Sequence, residues 1–86
     1  MIYCIAVFRS KTDVFLFMNY LKRSGVFCET VGTPKEAKVG CGLSVRFLKN
    51  NLSVARDILN SVRFNSFYAM YQVQIVGFRS VMSKIF

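Results

Sequence analysis

The sequence predicts a single α+β domain of the ferredoxin-like split β-α-β type: a four-stranded antiparallel sheet with two helices on one face. Three observations carry that expectation. Apolar runs short enough to be strands alternate with two stretches of helical periodicity, in the order strand, helix, strand, strand, helix, strand. Glycine, proline and asparagine fall at the junctions. The chain has 86 residues, 53% of them hydrophobic, with nine Phe and four Tyr. That is enough for one small packed core and too apolar for a disordered chain.

Each element has its own local reason. Residues 2–8, "IYCIAVF", are an unbroken apolar run rich in β-branched and aromatic side chains, too short for a helix, and they predict a buried central strand. Ser10, with Asp13 three residues on, has the form of a helix cap, and Val14, Phe17, Met18 and Leu21 follow at helical spacing. Gly25 ends that helix. Residues 26–31, "VFCETV", alternate as a half-buried strand until "GTP" at 32–34 breaks it. A third strand is expected near 43–48, with Leu43, Val45 and Phe47 on one face. Asn50 or Asn51 then caps a helix whose stripe is Leu52, Ala55, Ile58, Leu59 and Val62. The last strand spans about 67–76. Residues 1–76 form the expected domain, and 77–86 an amphipathic tail in which Phe78, Val81, Met82, Ile85 and Phe86 recur at helical spacing.

Twelve Lys and Arg against four Asp and Glu give a formal charge of +8, which suits an anionic partner or simply keeps an apolar chain soluble. The basic residues are scattered, with no basic tail. The longest charge-free stretch, Phe64 to Phe78, is interrupted by Asn65, Ser66, Gln72 and Gln74, so no transmembrane segment is expected. The first ten residues have neither the basic start nor the small-residue cleavage site of a secretion signal, and three cysteines do not make a complete disulfide framework. The expected compartment is the cytoplasm. With no histidine and no Cys-x-x-Cys, the chain offers no structural zinc ligand set and no histidine-based nucleophilic catalysis.

The stretch "TPKEAKVGCGL", Thr33 to Leu43, holds the main candidate site. Cys41 stands between Gly40 and Gly42, just after Lys35, Glu36 and Lys38. In the expected topology the start of strand three lies beside the end of strand one, which brings Cys41 near Phe8, Arg9 and Ser10 and the first turn of helix one. A thiolate is favoured there by the helix dipole and by Lys35, Lys38 and Lys11. The two glycines leave the sulfur open to a partner, and Pro34 fixes the turn. The same residues also suit a plain turn needing positive φ, with Cys41 as a small filler. Cys4 and Cys28, inside strands, fit as small core residues, neither placed to bridge Cys41.

The stretch "TPKEAKVGCGLSVRF", preceded by "YCIAVFRSKTDVFLFMNYLKRSGVFCETV", resembles a family of small bacterial selenium/sulfur carrier-like proteins over about residues 2–73. The shared signature is Thr-Pro-basic-Glu, four variable residues, then Cys-Gly. It falls without a gap on Thr33, Pro34, Lys35, Glu36, Cys41 and Gly42. The resemblance implies that Cys41 carries sulfur or selenium as a persulfide or selenosulfide between donor and acceptor proteins. No cofactor beyond that covalent cargo is implied, and the role is a carrier's more than an enzyme's. The chain lacks the Cys-Pro-x-Pro motif of the sulfur-relay carriers.

Two other classes compete. RNA-recognition modules share this element order and stack bases on aromatics of strands one and three, but "VGCGLSVRF" supplies Cys41 and Leu43 where those rings stand. An interaction module is the other alternative. The uncovered sheet face, with Tyr3, Ile5 and Val7 or their alternates, or the C-terminal tail would form a homodimer or dock a partner.

Overall fold

The computed structural model describes residues 1–38 and 42–86. Its sheet has five antiparallel strands and two helices, which corrects the four-stranded expectation. The elements are β1 (Ile2–Phe8), α1 (Lys11–Arg23), β2 (Cys28–Gly32), β3 (Leu43–Leu48), α2 (Leu52–Ser61), β4 (Phe67–Val76) and β5 (Arg79–Lys84). The strands lie in the order β2-β3-β1-β4-β5. The extra strand comes from the tail that the helical spacing suggested. Val76 pairs with Arg79 across Gly77 and Phe78, and Gly77 has φ of +61°. A glycine at the first central position of a two-residue loop matches the twist of a hairpin, so the chain turns back onto β4. Ile85 and Phe86 then bond to Met70 and join the core, and Phe86 lies beside Phe67.

Local chemistry sets the helix ends. Ser10 caps α1 by accepting from the Thr12 N–H, while Asp13, expected to complete a capping box, instead accepts from the Ser66 N–H at 3.1 Å and its hydroxyl at 2.6 Å. Asp13 therefore ties the helix start to the chain entering β4. At the other end Gly25, with φ of +79°, donates to the Lys22 carbonyl, and the Val26 N–H reaches the Leu21 carbonyl. This is the paired bonding of a Schellman motif, which needs a residue without a Cβ at the left-handed position. Asn51 stands at the N-cap of α2 without a side-chain capping bond, after a 3₁₀ turn at Lys49–Asn51.

The core has two parts, one on each side of the sheet. Under the helices, Cys4, Ala6 and Phe8 from β1 meet Val14, Phe17 and Leu21 from α1, Ala55 and Ile58 from α2, and Val45, Phe47 and Met70 from the flanking strands. Phe8 is the hub, with ring centroids 5.3 Å from Phe17, 5.6 Å from Phe64 and 5.5 Å from Phe67. Tilted and edge-on aromatic pairs of this kind add about 0.5–1.5 kcal/mol each beyond their buried area. On the second face Ile5, Val7, Ala69, Tyr71 and Val73 are buried together with Ala37. That face is covered, contrary to the expectation that Ile5 and Val7 would lie open. Tyr3 remains half-buried at its margin.

Among the described residues, no helix is long and apolar enough to cross a membrane.

Phe17→Ala should lower unfolding stability by about 3–5 kcal/mol, since it opens a cavity among the rings of Phe8, Phe47 and Phe64. Val81→Ser, on the outer strand, should change it by under about 0.5 kcal/mol. Urea unfolding followed by far-UV circular dichroism checks both. Equal losses at the two positions would mean that β5, not the aromatic cluster, organises the core.

Candidate functional site

The Thr33–Leu43 segment connects β2 to β3, and its described part is anchored on the second sheet face. Thr33 holds both ends of the connection together: its N–H donates to the Gly42 carbonyl at 3.2 Å. Its hydroxyl lies 2.9 Å from that of Ser44, which is fully buried. Pro34, at φ of −60°, precedes a 3₁₀ turn at Lys35–Ala37, closed by bonds from the Ala37 N–H to the Pro34 carbonyl and the Lys38 N–H to the Lys35 carbonyl. The turn drops the Ala37 methyl, 2% exposed, onto the face formed by Ile5, Val7, Ala69 and Tyr71. Lys35, Glu36 and Lys38 stay exposed.

Two backbone conformations shape this segment. Lys38 is left-handed, with φ of +58°, and Gly42 has φ of +88°. A side chain at Gly42 would be strained in that conformation, so this glycine of the motif has a backbone reason to be there. Val39, Gly40 and Cys41 lie outside the described residues, and so does the expected approach of Cys41 to Ser10. The expected meeting of the start of β3 with the end of β1 is present, since Val7 pairs with Ser44. The turn that carries Lys35 and Glu36 lies on the face turned away from α1.

Glu36 sits close enough to Tyr71 to act on its ionisation. Burial is the main reason that the Tyr71 hydroxyl is pushed above its ordinary range, with Tyr68 and then the Glu36 carboxylate adding to the effect. Two cations stand against the neighbouring Tyr68 ring: the Arg9 guanidinium is 5.4 Å and the Lys84 ammonium 6.0 Å from its centroid. Tyr68 is the extra residue of a bulge, where the pairing of β1 with β4 shifts between Val7 and Phe8.

Cys4 and Cys28 are free thiols buried in the helix-side core. Both pair in register with Phe47, one from each side, so the two cysteines are two strand spacings apart, about 10 Å. That is too far for a disulfide. Thr30, two residues on from Cys28, is the residue opposite Val45. Burial pushes the Cys4 thiol up to about 11, partly offset by Lys49, and pushes Cys28 up, partly offset by Lys22. The Cys28 thiol donates a hydrogen bond to the Met18 carbonyl, 3.8 Å away. Both thiols are held neutral and sealed.

Ser44, Ala37 and Tyr71 are the residues that sequence reasoning missed. Ser44 alternates with Leu43 and Val45 and looks solvent-facing, and only a covering turn makes it interior. The one available signal was Ala37, a small apolar residue inside the charged run "KEAK".

Two predictions follow from this geometry. In a double-mutant cycle, Thr33→Ala and Ser44→Ala should each cost about 1 kcal/mol and couple by about 0.5–1.5 kcal/mol, because each removal strands the other hydroxyl. Additive losses would mean that the bond contributes nothing. For Cys4, the unfolded thiol ionises near 9 and the folded one near 11. The unfolded state thus loses its proton first, and the stability from Cys4 is intact below pH 9 and lost as pH rises toward 11, by about 2–3 kcal/mol. Chemical unfolding at pH 8, 9.5 and 11 should show wild type falling further than Cys4→Ala. Parallel curves would contradict the sealed thiol.

No curated protein and no solved structure matches the chain. A family model does match, over residues 3–69, which takes in β1 through the start of β4 and the whole Thr33–Leu43 segment. The family is described as "Putative Se/S carrier protein-like", and the chain belongs to it.

Proposed function

We propose that the protein is a selenium/sulfur carrier that holds its cargo on Cys41 and passes it to an acceptor protein. The supporting observation is the segregation of its thiols within a carrier-like family: Cys4 and Cys28 are buried and held neutral, which leaves Cys41 as the candidate anchor. A buried thiol with a raised pKa is a poor nucleophile at neutral pH, since the thiolate is the attacking species.

The chemistry is an exchange without net oxidation. The Cys41 thiolate attacks the terminal sulfur or selenium of a donor persulfide or selenosulfide. A new bond forms from Cys41 to that atom, the donor's S–S or S–Se bond breaks, and the donor leaves as a thiolate with the electron pair. Discharge repeats the step with an acceptor thiolate as nucleophile and Cys41 as leaving group. With Cys4 and Cys28 sealed, the load has no resolving thiol inside the fold. Lys35 and Lys38 supply positive charge for an anionic thiolate or persulfide, and Thr33, Pro34 and Gly42 hold the turn that carries them. Glu36 faces the Tyr71 side and serves the turn's seating rather than proton transfer. The protein acts as a carrier rather than an enzyme, and its partners are the donor and acceptor proteins.

Intact mass after incubation with a low-molecular-weight persulfide tests this reading. The wild type and a Cys4→Ser/Cys28→Ser variant should each gain one sulfur, about 32 Da by atomic mass, and Cys41→Ser should gain none. Loading that persists in Cys41→Ser, or that needs Cys4 or Cys28, would overturn it.

A further inference from the structure

The second sheet face is closed by the Ala37 turn over only part of its width, and at the β2 end it opens into an apolar groove. Phe27, just before β2, is 76% exposed, and Met1 and Leu48 beside it are 78% and 47% exposed. With Tyr3 they line a recess of about 210 Å³ whose polar wall is Arg46 and Glu29. The Arg46 guanidinium is 5.1 Å from the Tyr3 centroid and ion-paired with Glu29, so both are fixed in place. Leu48 also belongs to a shallower depression walled by Lys49 and Asn50.

Size and charge select the occupant. Pockets for cofactors and drug-sized ligands run from about 300 to 1,000 Å³, so this recess is scaled to one or two large side chains. A side chain seated in a small apolar pocket is the usual anchor of a protein interface. Among the described residues lining the groove Glu29 is the one carboxylate, and it is committed to Arg46, while Lys49 adds an exposed positive charge at the rim. A second copy would bring +8 against +8, whereas carboxylates on a partner are drawn in.

We propose that this groove is a docking site for an acidic segment of a partner protein, which seats one aromatic or large aliphatic side chain between Phe27, Leu48 and Tyr3 and sets its carboxylates against Lys49 at the rim. The proposal stands on the groove alone and does not need Cys41 to carry cargo.

The test is a heteronuclear NMR titration of the full chain with a capped peptide of one phenylalanine flanked on each side by two glutamates. Control peptides replace the phenylalanine by alanine or the glutamates by lysines. Shifts should concentrate at Tyr3, Phe27, Leu48 and Lys49, and each control peptide should bind at least tenfold more weakly. Phe27→Ser, at an exposed position, should weaken binding at least tenfold without moving resonances of the helix-side core, and Leu48→Ser provides the same test at a second site. Shifts confined to α1 or α2, equal binding of either control peptide, or no shifts at millimolar peptide would overturn the proposal. So would sedimentation that shows a dimer dispersed by Phe27→Ser, or a preference for vesicles of anionic lipid lost in the same variant.

Discussion

The structure depends on burying both faces of β1. The strand sits at the middle of the sheet, and its alternate residues are pulled to opposite sides: Cys4, Ala6 and Phe8 under the helices, Ile5 and Val7 beneath the Ala37 turn. Two helices are enough for the first side, where Phe8 joins Phe17, Phe64 and Phe67. The second side has no helix, so a short connection must cover it. At about 25 cal/mol per Å² of apolar surface, leaving Ile5 and Val7 wet would cost several kcal/mol, a large share of a small domain's stability.

That constraint fixes the chemistry available to the fold. Because β1 and β2 face the helix-side core at Cys4 and Cys28, burial suppresses both thiolates. Because the β2–β3 connection is used as a cover, its turn is held by the Thr33–Ser44 hydroxyl contact, the Ala37 methyl and the left-handed Lys38 and Gly42, rather than hanging free. One side of this turn, Ala37, therefore belongs to the core, and the other carries the exposed Lys35, Glu36 and Lys38. The cover stops short of Phe27 and Leu48, which leaves the apolar groove beside Arg46.

Much of this was legible in the sequence, and the exceptions have physical causes. The runs 2–8, 43–48 and 67–76 coincide with β1, β3 and β4, because apolar alternation and β-branched content are local signals. Gly25 ended α1 for the reason its position suggested. In the tail, Phe78, Val81, Met82, Ile85 and Phe86 fit a helical spacing as well as a strand, and the deciding cue is Gly77 in a two-residue turn. Asp13 looked like a capping residue, but Ser66, 53 positions away, outcompetes its own helix. The cover over the second face was invisible for the same reason, since nothing in "PKEAK" names Val7 or Ala69 as its partner. The string Thr33, Pro34, Lys35, Glu36, Cys41 and Gly42 was legible as residues at fixed spacing, and the seating of Thr33 on Ser44 was not.

The central claim is that burial withholds Cys4 and Cys28 from chemistry, and the most direct test is timed alkylation of the native protein at neutral pH with peptide mapping of the product. The account predicts rapid modification of Cys41 alone, with Cys4 and Cys28 labelled only at the rate of global unfolding and all three labelled at once in denaturant. Labelling of Cys4 or Cys28 in the native state as fast as Cys41 would contradict it.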